Sequence, residues 1–335
     1  MKKLITPLLL AFIALMPNLK LQAQDDAPPA AWQSLWGMRD MNTCRCMYFR
    51  DEQNGWAAGR NIIMHTSDGG KTWEKQFDGE GRILAIYFKN DKDGFAGGES
   101  NLYIVTHDGG KTWKANYSMF QSAKFTKIFF TDAMHGYMLS TGSVYRSTDG
   151  GATWKDMGPK KPDEHSTEDF TGLAFTDAKH GILVGGEELM YATSDGGATW
   201  TQNTKDYFSG PRRHYHSLGF INATTGWISC SKGSEEDAGI DCLYTNDGGA
   251  TWTPKKCFNG YQITGFSFHG NCGSCHYDMN DHTIMVTTDA GATWTEQTVC
   301  EGRENKVFGS DIFSATSGFA GVNEDYYFHI YVPKK

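Results

Sequence analysis

The 335-residue chain lacks the local motifs by which many enzymes and membrane proteins are recognised. It contains no nucleophile elbow, no glycine-rich phosphate loop, no zincin motif and no Walker sequence, so no catalytic or metal-binding residue is assigned. No part of it has convincing helical periodicity, and no segment beyond the N-terminus is apolar enough to span a bilayer. Acidic residues outnumber basic ones, since the chain has 39 Asp and Glu and 31 Lys and Arg, and its formal net charge is −8. Nucleic acid is therefore not expected as a partner.

Residues 1–23 match a secretory signal peptide. Met1-Lys-Lys is positively charged, residues 8–15 are apolar, and Leu21-Gln-Ala23 has the small residues of a cleavage site. No cysteine stands at the cleavage point, so a bacterial lipid anchor is not expected. We therefore expect an exported protein, located in the periplasm, in the cell envelope or outside the cell, with a polar lead-in at 24–31.

A short sequence recurs six times in the chain, each time ending in tryptophan. The first copy is Thr66-Ser-Asp-Gly-Gly-Lys-Thr-Trp73, and the later copies end at Trp113, Trp154, Trp200, Trp252 and Trp294. Successive copies are therefore roughly 40–50 residues apart, a period that indicates a solenoid or a propeller built from one supersecondary unit per repeat.

A second recurring sequence, Asp/Asn-x-x-x-Gly-aromatic, precedes each of these boxes with some drift. Residues 51–59 (DEQNGWAAG) and 90–98 (NDKDGFAGG) are clear copies. Apolar runs such as 83–88 lie before it, and runs such as 102–105 lie between it and the box. Each unit is thus predicted to contain four short strands, A to D in chain order, separated by turns.

The tryptophan-ending box is predicted to form the hairpin between strands C and D. Its Asp can accept hydrogen bonds from backbone amides, its Gly-Gly pair can adopt positive φ, and its Trp can pack against the next blade. A ligand or calcium site is the alternative, but a site is rarely needed six times. The aspartates concerned are Asp68, Asp108, Asp149, Asp195, Asp247 and Asp289.

Together these sequences resemble the Asp-box, or bacterial neuraminidase repeat, in the form found in the photosystem II stability/assembly factor family. The resemblance covers nearly all of residues 44–335. It implies an all-β fold, a seven-bladed β-propeller of four-stranded antiparallel blades with Asp-box C–D hairpins, spanning residues 32–335. The last unit, 311–335, has no box, so we expect residues 32–36 to supply its outer strand and close the ring.

In a propeller the D–A and B–C connections share one end, here called the insert face. The A–B turns and Asp-box hairpins share the other end, here called the Asp-box face. The lengthened connections all fall on the insert face, and they are 157–171, 204–217 and 230–242. Long loops on one face of a rigid scaffold often carry binding residues, although variable padding is the alternative.

One of these inserts combines arginine with aromatic residues, the usual composition of protein-contact hot spots. Its candidate binding residues are Tyr207, Arg212, Arg213, His214, Tyr215 and His216. The resemblance also implies protein binding, since members of the family chaperone an assembling membrane complex. The sequence thus predicts a monomeric, non-catalytic binding or assembly scaffold whose partner is an envelope or extracellular protein, although an ordinary surface loop remains the alternative for this insert.

A secreted glycoside hydrolase or glycan-binding protein is the second hypothesis, since Asp-boxes also occur in sialidases and other glycosidases. Such an enzyme would need paired carboxyl groups on the insert face. The candidates are Asp163, Glu164, Glu168, Asp169, Glu235, Glu236, Asp237 and Asp241. Sialidase is disfavoured, because Gly81-Arg-Ile-Leu84 lacks the proline of the Arg-Ile-Pro motif.

Eight cysteines in an exported chain indicate disulfides. Cys230 and Cys242 flank an insert and are predicted to pair, and Cys272 and Cys275 are predicted to form a local disulfide. Cys44, Cys46, Cys257 and Cys300 have no assigned partner.

The sequence Cys272-Gly-Ser-Cys275-His276 also has the form of a haem c attachment motif, and zinc held with His282 is a further alternative. A blade turn offers no wide apolar pocket, so neither haem nor another cofactor is expected.

Overall fold

The structure is a computed structural model that describes residues 32–38, 44–116, 120, 123–159, 169–208, 213–231, 242–256, 263–277, 282–300, 306–324 and 327–333. Within these ranges every regular element is a β-strand. In the same part of the chain, no helix is long and apolar enough to cross a membrane.

The strands are, in chain order, β1 (Trp32–Met38), β2 (Cys44–Phe49), β3 (Gly55–Thr66), β4 (Glu74–Phe88), β5 (Gly94–Gly98), β6 (Tyr103–Thr106), β7 (Lys114–Ala115), β8 (Phe125–Phe130), β9 (Gly136–Ser140), β10 (Val144–Ser147), β11 (Lys155–Asp156), β12 (Phe170–Phe175), β13 (Gly181–Gly185), β14 (Met190–Thr193), β15 (Thr201–Gln202), β16 (Tyr215–Phe220), β17 (Gly226–Cys230), β18 (Cys242–Thr245), β19 (Thr253–Lys255), β20 (Ile263–His269), β21 (Cys272–Tyr277), β22 (Thr283–Thr287), β23 (Thr295–Thr298), β24 (Lys306–Ser314), β25 (Ser317–Glu324) and β26 (Tyr327–Pro333).

The described residues form six antiparallel sheets, five of four strands and one of six. The six-stranded sheet, β2 to β7, arises because β4 pairs with β3 through its first half and with β5 through its second. Arg82 of β4 still pairs with Arg60 of β3, and the next residue, Ile83, already pairs with Gly98 of β5. The prediction of seven separate four-stranded blades is therefore wrong, because the connection between the first two units lies within the single strand β4, which joins two four-stranded arrangements into one sheet.

The two ends of the described chain share one sheet. Strand β1 pairs antiparallel with β26, from Trp32 opposite Pro333 to Met38 opposite Phe328. The order of this sheet is β1, β26, β25, β24. Because closure of a propeller hides sheet edges, this pairing protects the outer edge of β26.

The units are joined by aromatic side chains that recur at each junction. In most units a Phe lies at or near the end of the first strand. Its ring packs against the residue that follows the glycine of the second recurring sequence in the preceding unit. The box Trp of the same unit packs edge-on against this Phe. In five such triads the first two rings have centroids between 3.7 and 5.8 Å apart, stacked in three triads and tilted in those of Phe130 and Phe268. The triads are Phe319–Phe49–Trp73, Trp56–Phe88–Trp113, Phe95–Phe130–Trp154, Tyr137–Phe175–Trp200 and Trp227–Phe268–Trp294. At a sixth junction Ile182 replaces the first aromatic residue, beside Phe220 and Trp252. We call these groups the seam triads.

The first strands of successive units, called the inner strands, pack side by side, as β4 does with β8, β12 with β16 and β16 with β20. At one end, the box hairpins lie against the A–B turns, as shown by the Gly69 N–H donating to the Gln53 carbonyl at 2.9 Å. Gly109 donates to Lys92 in the same way at 2.9 Å. This end is the Asp-box face, and the opposite end is the insert face.

Candidate functional site

Each Asp-box carboxylate forms its hydrogen bonds inside its own hairpin. In the first box, Asp68 Oδ1 accepts from the Thr72 N–H at 2.9 Å, and Asp68 Oδ2 accepts from Thr72 Oγ1 at 2.6 Å. The Thr66 hydroxyl donates to Asp68 and accepts from the Gly70 N–H at 2.8 Å. The same arrangement recurs at Asp108, Asp149, Asp195, Asp247 and Asp289.

These hydrogen bonds stabilise the charged carboxylates. The bond from the Thr hydroxyl is the largest cause, and it lowers the pKa of five of them to about 2, namely Asp68, Asp108, Asp149, Asp195 and Asp247. The pKa of Asp289 is lowered for the same reason. Because their oxygens are occupied within the turn, the boxes act as hairpin locks. Among the described residues, no group of three or more His, Cys, Asp or Glu side chains could hold a metal ion.

Two cavities of similar size lie on the Asp-box face. One, of about 500 Å³, lies between the fourth and fifth units, and the other, of about 490 Å³, lies between the last and first. Both are lined by box turns and A–B turns, including Asp177 and Asp247 in the first and Asp68 in the second. Asp177 already accepts the N–H groups of Lys179 and His180, at 2.7 and 2.8 Å. A cavity that recurs at two junctions is better explained by the repeat geometry than by one specific site.

On the insert face, the predicted arginine–aromatic segment is partly core. Arg213 is only 2% exposed, and its guanidinium carbon lies 4.0 Å from the centre of the Phe208 ring. Its backbone N–H donates to Glu188 Oε1 at 3.1 Å, and its carbonyl accepts from the Glu188 N–H at 2.8 Å. Tyr215 is 1% exposed, and burial raises the pKa of its hydroxyl. Arg213 and Tyr215 therefore support the segment from inside the protein and are not part of the surface that a partner could contact.

Other members of this segment reach the surface. His214 is exposed, and its ring stacks with the partly buried His216 at 6.4 Å. Tyr207 is partly buried and accepts a hydrogen bond from Asn203 Nδ2 at 2.9 Å, while Lys205 is exposed. A shallow cavity of about 150 Å³ runs beside Lys205 and Glu188. Arg212 lies outside the described residues.

The acidic residues proposed for a glycosidase are almost all outside the described ranges. Only Asp169 falls within them, and it is exposed immediately before β12. Because the structure describes only Asp169 among these candidates, it does not test whether they form a catalytic pair.

The predicted disulfide pairs are wrong, and for one geometric reason. Alternate residues of a strand point to opposite faces of the sheet. Cys272 and Cys275 lie three residues apart on β21, and they pack in different clusters, with Val286 and with Trp227 respectively. Both carry thiols.

The same argument separates Cys230 from Cys242. Cys242 lies opposite Ser229, the neighbour of Cys230, so the two cysteines face different sides of the sheet. Cys230 is a thiol that donates to the Ile228 carbonyl at 3.6 Å. Cys242 is disulfide-bonded, but its partner is not Cys230. The absence of haem at Cys272, Cys275 and His276 stays a prediction.

A site that the sequence analysis missed lies among the inner strands. An open cavity of about 200 Å³ is lined by residues of β8, β12, β16 and β20, and Lys127 is one of them. Burial lowers the pKa of Lys127 to about 8. The sequence did contain one indication of this site, the lysine that begins the apolar run Lys127-Ile-Phe-Phe130. The apolar pattern of that run predicted a strand and gave no reason to examine the lysine.

Comparison with known proteins now identifies the family. The profile described as "Photosynthesis system II assembly factor YCF48" matches residues 28–157 and 160–254, which is more than half of the chain. The chain belongs to this family. A curated relative, the photosystem II assembly lipoprotein Ycf48 of Synechococcus sp. (strain CC9902), is 30% identical over 127 residues, which are 37% of this chain and 34% of that protein. The chain thus matches about a third of the relative's length.

Solved structures show the same fold. A structure of YCF48 bound to D1 peptide superposes with a TM-score of 0.66 at 18% identity, covering 92% of this chain and 97% of that one. YCF48 from Cyanidioschyzon merolae gives a TM-score of 0.67 at 16% identity, covering 90% of this chain and 99% of that one. A chain of the mitotic checkpoint complex gives 0.66 at 10% identity, covering 99% of this chain and all of that one, so similarity at this level shows the fold and not the function.

Proposed function

We propose that this chain is an exported, non-catalytic assembly factor that binds a segment of a protein partner on its insert face. Membership of the Ycf48 family supports an assembly role, and the solved relative bound to D1 peptide supports a peptide segment as the kind of ligand. The glycosidase hypothesis has no comparable support.

One structural observation favours the insert face. Arg213 and Tyr215 are buried, and Glu188 holds the Arg213 backbone through two hydrogen bonds. This arrangement presents the exposed side chains of Lys205 and His214 from a rigid base. Rigid presentation lowers the entropy lost on binding, which favours recognition of a flexible segment.

A pull-down from envelope extract tests this proposal. We expect mature protein to recover a specific partner, and we expect Lys205→Ala combined with His214→Ala to recover at least about fivefold less. Met134→Ala is the matched control, because Met134 is 49% exposed and lies on the Asp-box face. Equal loss in the control, or equal recovery by the double variant, would contradict the assignment of the face.

Export is part of the same proposal, supported by the signal-peptide pattern of residues 1–23. The Synechococcus relative is named a lipoprotein, whereas Gln24 rather than cysteine follows the expected cleavage point here. We therefore propose that this chain is released from the membrane after cleavage. N-terminal sequencing of the mature protein should begin at Gln24, and an uncleaved N-terminus would contradict the proposal.

A further inference from the structure

The cavity among the inner strands has one charged wall and otherwise apolar ones. Besides Lys127, its lining residues are Phe129, Leu173, Ala174, Phe175, Leu218, Gly219, Phe220, Phe266 and Phe268. Its volume of about 200 Å³ is below the roughly 300–1,000 Å³ of drug-sized pockets, so it suits one group of side-chain size.

The space exists because two inner strands carry small residues. Ala174 on β12 and Gly219 on β16 line the cavity, whereas Phe129 on β8 fills its own side. A Cβ on Gly219 would lie 2.6 Å from Phe266 Cβ, so a larger residue at this position is excluded by the neighbouring strand. The cavity is thus built by close strand packing.

The ammonium group of Lys127 has no counter-charge in the described part of the chain. No hydrogen bond or ion pair involves it there, and its recorded contact is with the Phe129 ring, whose centre lies 5.8 Å from Nζ. The Lys127 side chain is partly buried, and an uncompensated charge beside apolar walls is costly. An anion in the cavity would remove that cost.

We propose that this cavity binds a carboxylate attached to an aromatic or branched apolar group, with Lys127 pairing with the carboxylate. A single ammonium group matches one carboxylate better than a phosphate, whose several oxygens need more donors than this wall supplies. The phenylalanine walls would hold the apolar group by burial and edge-to-face contact. The carboxylate comes from a free organic acid or from the C-terminal residue of a peptide.

This inference does not depend on the insert-face proposal, since none of the residues that line the cavity belongs to the surface tested by Lys205→Ala and His214→Ala. The Lys205→Ala and His214→Ala variant should therefore still bind the carboxylate, even if it no longer captures the partner. Failure of carboxylate binding would not contradict the insert-face proposal.

Isothermal titration calorimetry with 3-phenylpropionate on the mature protein at pH 7 tests the site. We expect saturable binding, and we expect the neutral 3-phenylpropionamide to bind at least about tenfold more weakly, because it lacks the charge that Lys127 pairs with. Lys127→Met should weaken the acid at least about tenfold as well. Lys124→Met is the matched control, because Lys124 is exposed on the same segment and should leave binding unchanged.

Ala174→Leu gives a second, independent variant, because it fills the cavity while keeping Lys127, and it should also weaken 3-phenylpropionate. Glycyl-glycyl-phenylalanine, compared with its amide, distinguishes the two sources of the carboxylate. Tighter binding of the peptide than of 3-phenylpropionate indicates a peptide C-terminus, and the reverse indicates a free acid. Equal affinity for acid and amide, unchanged binding in folded Lys127→Met, or no saturable binding of any probe would overturn the inference.

Discussion

The ring of Phe319, in the last unit, stacks on that of Phe49, in the first, with centroids 3.7 Å apart and planes 6° apart. The two residues are brought together only when the chain closes on itself. Asp311 reinforces the junction, because its Oδ2 accepts the Phe49 N–H at 3.1 Å. Asp311 also accepts a hydrogen bond from the Ser267 hydroxyl, which ties β20 to the same point.

Replacement of Phe319 by alanine should lower the free energy of unfolding by about 3–5 kcal/mol, since it removes a buried ring and leaves a cavity at the closing seam. Urea denaturation followed by far-UV circular dichroism measures the change. Met134→Ala, at an exposed position, should change stability by less than about 0.5 kcal/mol. If Phe319→Ala lowers the free energy of unfolding no more than Met134→Ala does, the contact between Phe319 and Phe49 does not stabilise the junction between the last and first units.

Gly151→Ala should lower the free energy of unfolding by about 2–4 kcal/mol, whereas Gly142→Ala should be nearly neutral. Gly151 has φ +95°, and an added Cβ would lie 2.5 Å from Phe95 of the preceding unit. Gly142 has no atom within 4 Å of an added Cβ. Thermal melts of both variants provide the comparison, and equal melting temperatures would contradict the role given to the second box glycine.

Acid should remove part of the stability that the Asp-boxes provide. The folded pKa of carboxyls such as Asp149 is about 2, below the roughly 3.9 of an unfolded aspartate. A lowered folded pKa stabilises the folded state above about pH 4, and this contribution is lost as the pH falls from about 4 to about 2. The stability difference between wild type and Asp149→Asn should therefore be smaller at pH 3 than at pH 7. A difference independent of pH would show that the charge of Asp149 is unimportant.

Lys127→Met should raise the free energy of unfolding of the ligand-free protein by about 1–3 kcal/mol at pH 7, because it removes an unpaired charge from an apolar wall. The folded pKa of Lys127 is about 8, and that of an unfolded lysine is about 10.4, so both states are charged below pH 8 and the cost is then complete. As the pH rises from about 8 to about 10.4, only the unfolded state keeps the proton, and the wild type recovers stability. Denaturation at pH 7 and pH 10 should show the advantage of the variant shrinking. A destabilised variant at both pH values would indicate a packing role instead.

The local features of this protein could be predicted from its sequence. The turn at Asp149, Gly150 and Gly151 depends on five or six consecutive residues, because the carboxylate binds the N–H of Thr153 and the glycines adopt positive φ. Such turn chemistry is contained within the segment itself. The family followed from the same residues.

Features that depend on distant contacts could not be predicted. The burial of Arg213 requires Phe208 and Glu188, so a composition typical of a binding loop gave no sign that this arginine is covered. The continuous strand β4 depends on pairing with two different neighbours. The apolar surroundings of Lys127 are created only when β8, β12, β16 and β20 come together, so the sequence of β8 alone does not reveal them.

The most direct test of the proposed function is site-specific photo-crosslinking in the cells that produce this protein. A p-benzoylphenylalanine at position 214, replacing the exposed His214 on the insert face, is compared with one at position 134, replacing Met134 on the Asp-box face. We predict a discrete adduct with one partner protein from position 214 and none from position 134. An adduct from position 134 alone, or none from position 214, would contradict the insert face as the binding surface.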